Sequence, residues 1–371
     1  MKKGQIRILY FIQLPPPVHG VSTMNQLVYN SSLINEKVDK DLLEIKFSDN
    51  LSQLRRWRPG KIVKFIRLLF MLTIRIIRKK PDYIYFSLMP AGWGFLRDLF
   101  FVLIIKIFRI RPVYHLHNRG IKRNTSFTFC LLIYRFVFNN SLLIHLSDHL
   151  METEIDGLNL RNCTRIVIPN GIQKIEPEFP AMRIDGMIRL LFLSNLFAGK
   201  GLDDLLLVFF NMLKKFPELE LVVAGAFPST RQEKRIMRLV SAYGLGNKVT
   251  FCGEVYGRTK YFTYLNADIF VFPSYFSQEC FPLVILEAMQ FGLPVVATGE
   301  GAIPEIITDG VTGFITQPRD TDAMEEKISR LIESPELRAS MGNNARKLFG
   351  EKYSAAHFEE KMRAFYDSYL C

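Results

Sequence analysis

The stretch ADIFVFPSYFSQECFPLVILEAMQFGLPVVAT, residues 267–298, decides how this chain is read. A short apolar run ends at Pro273, a polar loop leads to Pro282, a longer apolar run reaches Gly292, and Pro294 introduces VVAT. Short apolar runs bounded by turn residues read as buried strands. A proline at the head of a longer run suits the first turn of a helix, where its missing N–H leaves no bond unmade. The order is therefore strand, loop, helix, strand, the unit of a doubly wound parallel sheet. One feature resists a purely structural account: Glu279 and Glu287 stand eight positions apart with an almost wholly apolar run between them.

The same rhythm continues on both sides. Before this stretch come strand IRLLFLSNL, loop FAGKG, a helix from Leu202, and strands ELVVAGA and KVTFCGEV; after it come a short helix near Pro304 and strand GFIT. Further upstream, QKIEPEFPAMRIDG has two prolines and no periodicity, which marks a linker. The N-terminal half begins with strand IRILYFI, loop QLPPPVHGVS and a helix from about Thr23, and adds strands at DYIYFSL, PVYHLH, SLLIHLS and TRIVIPNGI. At 371 residues the chain is long for one core. The expectation is an α/β protein of two domains, 1–178 and 186–354, with a terminal helix over 355–371 that can pack on either.

Composition narrows the class. Hydrophobic residues make up 49% of the chain and charged residues 23%, which excludes a disordered protein. The five cysteines are scattered, odd in number and form no CxxC pair, as expected for free thiols in a reducing compartment. Arg7 interrupts the first apolar stretch and Pro15 to Pro17 stand where a cleavage site would be, so no export signal is read and a cytoplasmic location is expected.

The net charge of +12 is unevenly placed, since residues 1–180 carry 27 Lys and Arg against 13 Asp and Glu. It is densest over residues 55–80, RRWRPGKIVKFIRLLFMLTIRIIRKK, with ten basic residues and no acid. At about 100° per residue, Lys61, Lys64, Arg67, Arg75 and Arg78 share a stripe. Such a basic amphipathic helix fits an anionic membrane surface on the inner face, and equally the solvated face of an ordinary domain helix. Charges break every apolar run before a membrane span is reached. A nucleic-acid-binding protein is disfavoured, because Ile, Leu and Phe interleave the basic run at helical spacing and no nucleic-acid module is present.

With these motifs in place, FLSNLFAGKGLDDLL, VVAGA, VTFCGEV, the opening stretch and IPEIITDGVTGFI together resemble the retaining glycosyltransferases of family 4. The resemblance spans residues 189–315 and extends more loosely over the N-terminal half. It implies the GT-B fold, two facing Rossmann-like domains with a cleft between them. It also implies a nucleotide diphosphate sugar (UDP- or GDP-sugar) as donor and a glycan or lipid-linked acceptor, as in bacterial surface-polysaccharide assembly. The Glu-x7-Glu element is met by Glu279, assigned by the family to the donor sugar, and Glu287, assigned to the ribose.

Beside these, the amides of Cys280, Phe281, Leu283 and Val284 around Pro282 can face the diphosphate at a helix start. Lys200, in AGKGLDD, neutralises the leaving diphosphate. The family's arginine five residues earlier is here Asn195, and Arg119 or Lys122 is the expected compensation. Gly20 and His19 match the family's glycine-bearing loop on the donor or acceptor side. Of the two histidines in HLHNRG, His117 at the strand's end is expected to face the donor sugar and His115 the core. Asp320-Thr321-Asp322 spells DxD, but after Pro318 it reads as a helix cap rather than a metal site. GxGxxG is absent and no pyridoxal lysine motif is recognised, so neither a metal nor a cofactor is expected. The rival reading is a binding protein that kept the fold without turnover.

Overall fold

The structure is a computed structural model that describes residues 5–47, 60–125, 127–175 and 186–371. Part of the basic run, residues 55–59, and most of the linker, residues 176–185, lie outside the described residues. The chain forms two compact units: Met1–Gly171 with Ala355–Cys371, and Ile172–Ser354.

The first unit begins with β1 (Ile6–Ile12), α1 (Gly20–Asn30), β2 (Val38–Glu44), α2 (Gly60–Lys79), β3 (Tyr83–Phe86) and α3 (Gly92–Ile107). It continues with β4 (Arg111–His115), the single turn α4 (Ile121–Asn124), α5 (Thr128–Phe138), β5 (Ser141–His145), α6 (Asp148–Glu154) and β6 (Cys163–Val167). Every strand pair is parallel, in the order β2-β1-β3-β4-β5-β6. The order reverses between β1 and β3. Right-handed crossovers therefore put α1 on one face of the sheet and α2, α3, α5 and α6 on the other. Strand alternation matches this: Leu9 and Phe11 pack with Leu72, Phe101, Val137 and Ile155 in one core, while Tyr10 turns to the opposite face and meets the buried hydroxyl of Tyr366 at 3.1 Å.

β2 was not read from the sequence. VDKDLLE is an edge strand whose middle is solvent-facing, so it carries the charges that blunt an edge and lacks an apolar run. Helix α1 also starts three residues earlier than read. His19 caps it: its Nδ1 accepts from Ser22 N at 3.3 Å, and Ser22 Oγ accepts from His19 N at 3.0 Å.

The second unit comprises β7 (Ile188–Leu193), α7 (Leu202–Met212), β8 (Leu219–Ala224), α8 (Thr230–Ala242), β9 (Val249–Gly253), α9 (Gly257–Leu265) and β10 (Ile269–Phe272). It continues with α10 (Leu283–Gln290), β11 (Val295–Thr298), α11 (Ile303–Ile306), β12 (Gly313–Thr316), α12 (Thr321–Glu333) and α13 (Pro335–Lys352). Its sheet is again parallel, β12-β11-β10-β7-β8-β9, with the reversal between β7 and β10. α14 (Ala355–Tyr369) returns to the first unit, where it packs near α1. Asp320 caps α12, accepting from Ala323 N at 3.0 Å. Among the described residues, no helix is long and apolar enough to cross a membrane.

Candidate functional site

In an open parallel sheet, ligands gather at the carboxyl ends of strands flanking the reversal of strand order, because the loops there part to opposite faces. In the second unit those strands are β7 and β10. The loop after β7 carries Lys200 and the loop after β10 carries Glu279. Lys200 Nζ lies 2.5 Å from Glu279 Oε2, and the same oxygen accepts from Ser274 Oγ at 2.9 Å. Both charged side chains are largely withdrawn from solvent, 12% and 9% exposed. Lys200 Nζ also stands 5.3 Å and 5.0 Å from the ring centroids of Phe272 and Phe276.

Backbone chemistry holds these loops together. Tyr275 N donates to Gly199 O at 2.7 Å, a direct tie between them. Gly201, at φ +81°, starts α7 so close to Pro273 that a Cβ would fall 2.0 Å from its carbonyl oxygen. A similar approach occurs at Gly301, φ +61°, where a Cβ would meet the carbonyl oxygens of Glu279 and Cys280 at 2.6 Å. Ala302 N donates to Cys280 O at 2.8 Å, which completes the brace behind the entry to α10.

Pro282 is the residue before α10 rather than inside its first turn, because its ψ of 110° is extended. Cys280, Phe281 and Pro282 are buried, with Leu283 and Val284 half-buried at the start of the helix, whose first amides have no partner within the helix itself. Asn195, where the resembled family has arginine, is half-buried, and its carbonyl accepts from Phe197 N at 2.7 Å.

Glu287 lies one turn further along α10. Lys260 Nζ donates to its Oε1 at 2.6 Å and Tyr264 OH to its Oε2 at 2.8 Å. Burial and the neighbouring carboxylate push the Tyr264 phenol well above its ordinary range, so it stays a donor. Lys260, Tyr264 and Ser274 were missed from the sequence. The signal for the first two was their spacing of four on α9, which puts both on one face.

The first unit brings its site candidates to strand ends as well. His115, at the end of β4, is fully buried and hydrogen-bonded to Tyr85 OH, while His117 follows it with the two ring centroids 4.0 Å apart. Among the described residues neither ring nitrogen of His117 has a hydrogen-bond partner. His145, at the end of β5, accepts from Leu146 N at 2.8 Å, and its Nε2 has no hydrogen-bond partner among the described residues. Burial, reinforced by charge between neighbouring rings, lowers His117 to about 3, and burial with nearby Arg119 lowers His145 to about 3. These imidazoles are neutral at pH 7.

Arg119, expected to compensate for the missing family arginine, has its Nε 3.6 Å from Glu154 Oε1. The other Glu154 oxygen accepts from the amides of Gly120, Ile121 and Lys122 at 3.0, 2.6 and 3.1 Å. A buried carboxylate thus caps α4 and fixes the loop that carries Arg119 and Lys122. His19 is committed to the cap of α1, and Gly20 is the first residue of that helix.

Two parallel α/β units, each with a reversal of strand order within its six-stranded sheet, give the chain the GT-B fold. A solved structure of Anabaena HepE in complex with UDP and glucose shares the fold, with a TM-score of 0.75 at 20% identity, over 98% of this chain and 100% of that one. Residues 176–348 match the family model described as glycosyl transferases group 1.

An uncharacterized glycosyltransferase of Haemophilus influenzae is 30% identical over 207 residues, 56% of this chain and 54% of that protein. CapM of Staphylococcus aureus, a capsular polysaccharide biosynthesis glycosyltransferase, is 26% identical over 351 residues, 90% of this chain and 89% of that protein. Apart from that longer match, the chain spans about half the length, or less, of the curated relatives it resembles.

Proposed function

We propose that this protein is a retaining glycosyltransferase. It moves a sugar from a nucleotide diphosphate sugar to an acceptor hydroxyl during assembly of a surface polysaccharide or lipid-linked glycan. The observation that carries this reading is the Lys200–Glu279 pair at the strand reversal of the second unit, beside the start of α10. The match of residues 176–348 to the group 1 glycosyl transferase model supports it, as do the capsular role in the name of the Staphylococcus relative and the UDP and glucose of the Anabaena structure.

In this reading the α10 amides and Lys200 receive the leaving diphosphate, so its charge develops against fixed dipoles and an ammonium, and no metal is needed. Glu279 accepts from hydroxyls of the donor sugar. Glu287, its carboxylate oriented by Lys260 and Tyr264, accepts from the ribose. His117, a neutral imidazole with spare hydrogen-bonding capacity, faces the donor sugar in its turn. Attack comes from the face the diphosphate leaves, and a departing phosphate oxygen takes the acceptor proton. The enzyme works in the cytoplasm at the inner face of a membrane, where the basic first unit meets a lipid-linked acceptor.

The test is release of nucleoside diphosphate from UDP- and GDP-sugars, with membrane lipid extract as acceptor source. Release from one donor that Lys200→Ala and Glu287→Gln abolish, in folded protein, supports the reading. Nucleotide binding with no release from any donor favours a binding protein of the same fold. Absence of both binding and release removes the reading.

A further inference from the structure

α3 is apolar on both sides. Phe95, Phe101, Val102 and Ile105 face the core, as a sheet-covering helix requires. Its outward stripe, Trp93, Leu96, Phe100, Leu103 and Ile107, follows the three-four spacing of one helix face and is exposed, with Trp93 at 88%. A solvated helix ordinarily turns charge outward, as α8 does with Arg231, Lys234, Arg235 and Arg238. The helices on either side repeat the anomaly: α2 exposes Val63, Ile66 and Phe70, and at the start of α5 Phe127 and Phe129 are 71% and 72% exposed.

These are neighbouring elements on one face of the sheet. Phe65 of α2 meets Phe100 of α3 edge-on at 5.7 Å, and Phe95 of α3 stacks on Tyr134 of α5 at 4.6 Å. Their outer sides therefore form a continuous apolar surface of a size that marks an interaction site.

Charge identifies what covers it. Residues 60–138 hold 15 Lys and Arg and only two acids, Asp82 and Asp98. Both acids are taken, Asp82 by Arg7 and Asp98 by Arg97. Exposed Lys64, Arg67 and Arg78 stand among the apolar residues of α2. A second copy of this face would bring like charges together with no acid to pair them. An anionic bilayer satisfies both features: the rings and aliphatic chains enter the acyl boundary while lysine and arginine stems reach the lipid phosphates.

We infer that the outer faces of α2, α3 and α5 form a single docking surface for an anionic lipid bilayer, with Trp93, Phe127 and Phe129 as its inserted anchors. This extends the membrane part of the proposed function from one basic helix to three, and it stands or falls on lipid binding, independently of sugar transfer.

The chain has two tryptophans, so Trp57→Phe leaves Trp93 as the reporter. Full-length protein is mixed with phosphatidylcholine vesicles with and without phosphatidylglycerol, and sedimentation, Trp93 emission and quenching by brominated lipid are followed. Expected are binding to the anionic vesicles, a blue shift with quenching of Trp93, and roughly tenfold weaker partitioning for Phe127→Ser/Phe129→Ser with an unchanged melting temperature. Lys64→Gln/Arg67→Gln should weaken binding and flatten its dependence on salt. The inference is overturned by absence of vesicle binding, by binding that leaves Trp93 emission unmoved, or by a lipid-free dimer that Phe127→Ser/Phe129→Ser dissociates.

Discussion

Lys200 and Glu279, 79 residues apart in sequence, meet at 2.5 Å with Ser274 as the third member of the cluster. In the proposed reaction a diphosphate competes with Glu279 for the ammonium. Removing Lys200 leaves a nearly buried carboxylate with only a hydroxyl donor, a loss of about 3 kcal/mol for a buried pair. Lys200→Ala should therefore destabilise the protein in urea unfolding, and Lys200→Ala/Glu279→Gln should recover most of the loss. Equal stability of the single and double variants would mean that the two groups are not coupled.

Glu279→Gln separates the two ligand roles. If Glu279 receives sugar hydroxyls, the variant should bind the nucleotide sugar about tenfold more weakly, the cost of one charge-assisted hydrogen bond, while nucleoside diphosphate affinity holds or rises as Lys200 is released from its carboxylate. Isothermal titration with both ligands reads the difference directly. A parallel fall for the two would assign Glu279 to supporting the phosphate site instead.

For Glu287, carboxylate identity is the question. Glu287→Gln can still accept from Tyr264 but loses the charge that holds Lys260, and the pair's partial exposure limits the stability cost to about 1 kcal/mol. Nucleoside diphosphate affinity should fall about tenfold and affinity for inorganic diphosphate should not, since only the former carries a ribose. Loss of both affinities would show that Glu287 acts by holding the helix.

Much of this organisation could be read from the chain. Most strands of both sheets are apolar runs bounded by Pro, Gly or Asn, and Glu279 and Glu287 are conspicuous because a carboxylate costs energy in an apolar stretch. What stayed hidden was long-range. Ser274 and Lys260 touch these glutamates only because the sheet brings separate loops together, and no local period encodes that. Glu154 resembled any helical acid until folding placed it under the amides of residues 120–122. Arg119 has a neighbour that the sequence did not announce, since the fold sets its Nε 3.6 Å from a Glu154 oxygen.

Glu154 gives a stability test remote from donor chemistry. Its carboxylate is buried and receives three amides, each a charge-assisted bond. Glu154→Ala should cost about 3 kcal/mol and expose the 119–122 loop to hydrogen exchange, whereas Glu154→Gln, which keeps an acceptor oxygen, should cost about half as much. Equal exchange in both variants and wild type would show that the loop is held by other contacts.

The histidines set the acid limit. His117 and His145 fall to about 3 in the folded chain, while in the unfolded chain they titrate near 6.5. Below pH 6.5 the unfolded state therefore binds protons that the folded state refuses, so stability is full above that pH and declines as pH falls toward 3. At pH 5 each histidine should have cost about 2 kcal/mol relative to pH 8. Asn cannot take up a proton, so His145→Asn should remove one proton from the pH dependence and flatten the melting-temperature profile between pH 7 and 5, even if it lowers stability at neutral pH. A variant profile parallel to that of the wild type would mean that His145 is protonated alike in both states.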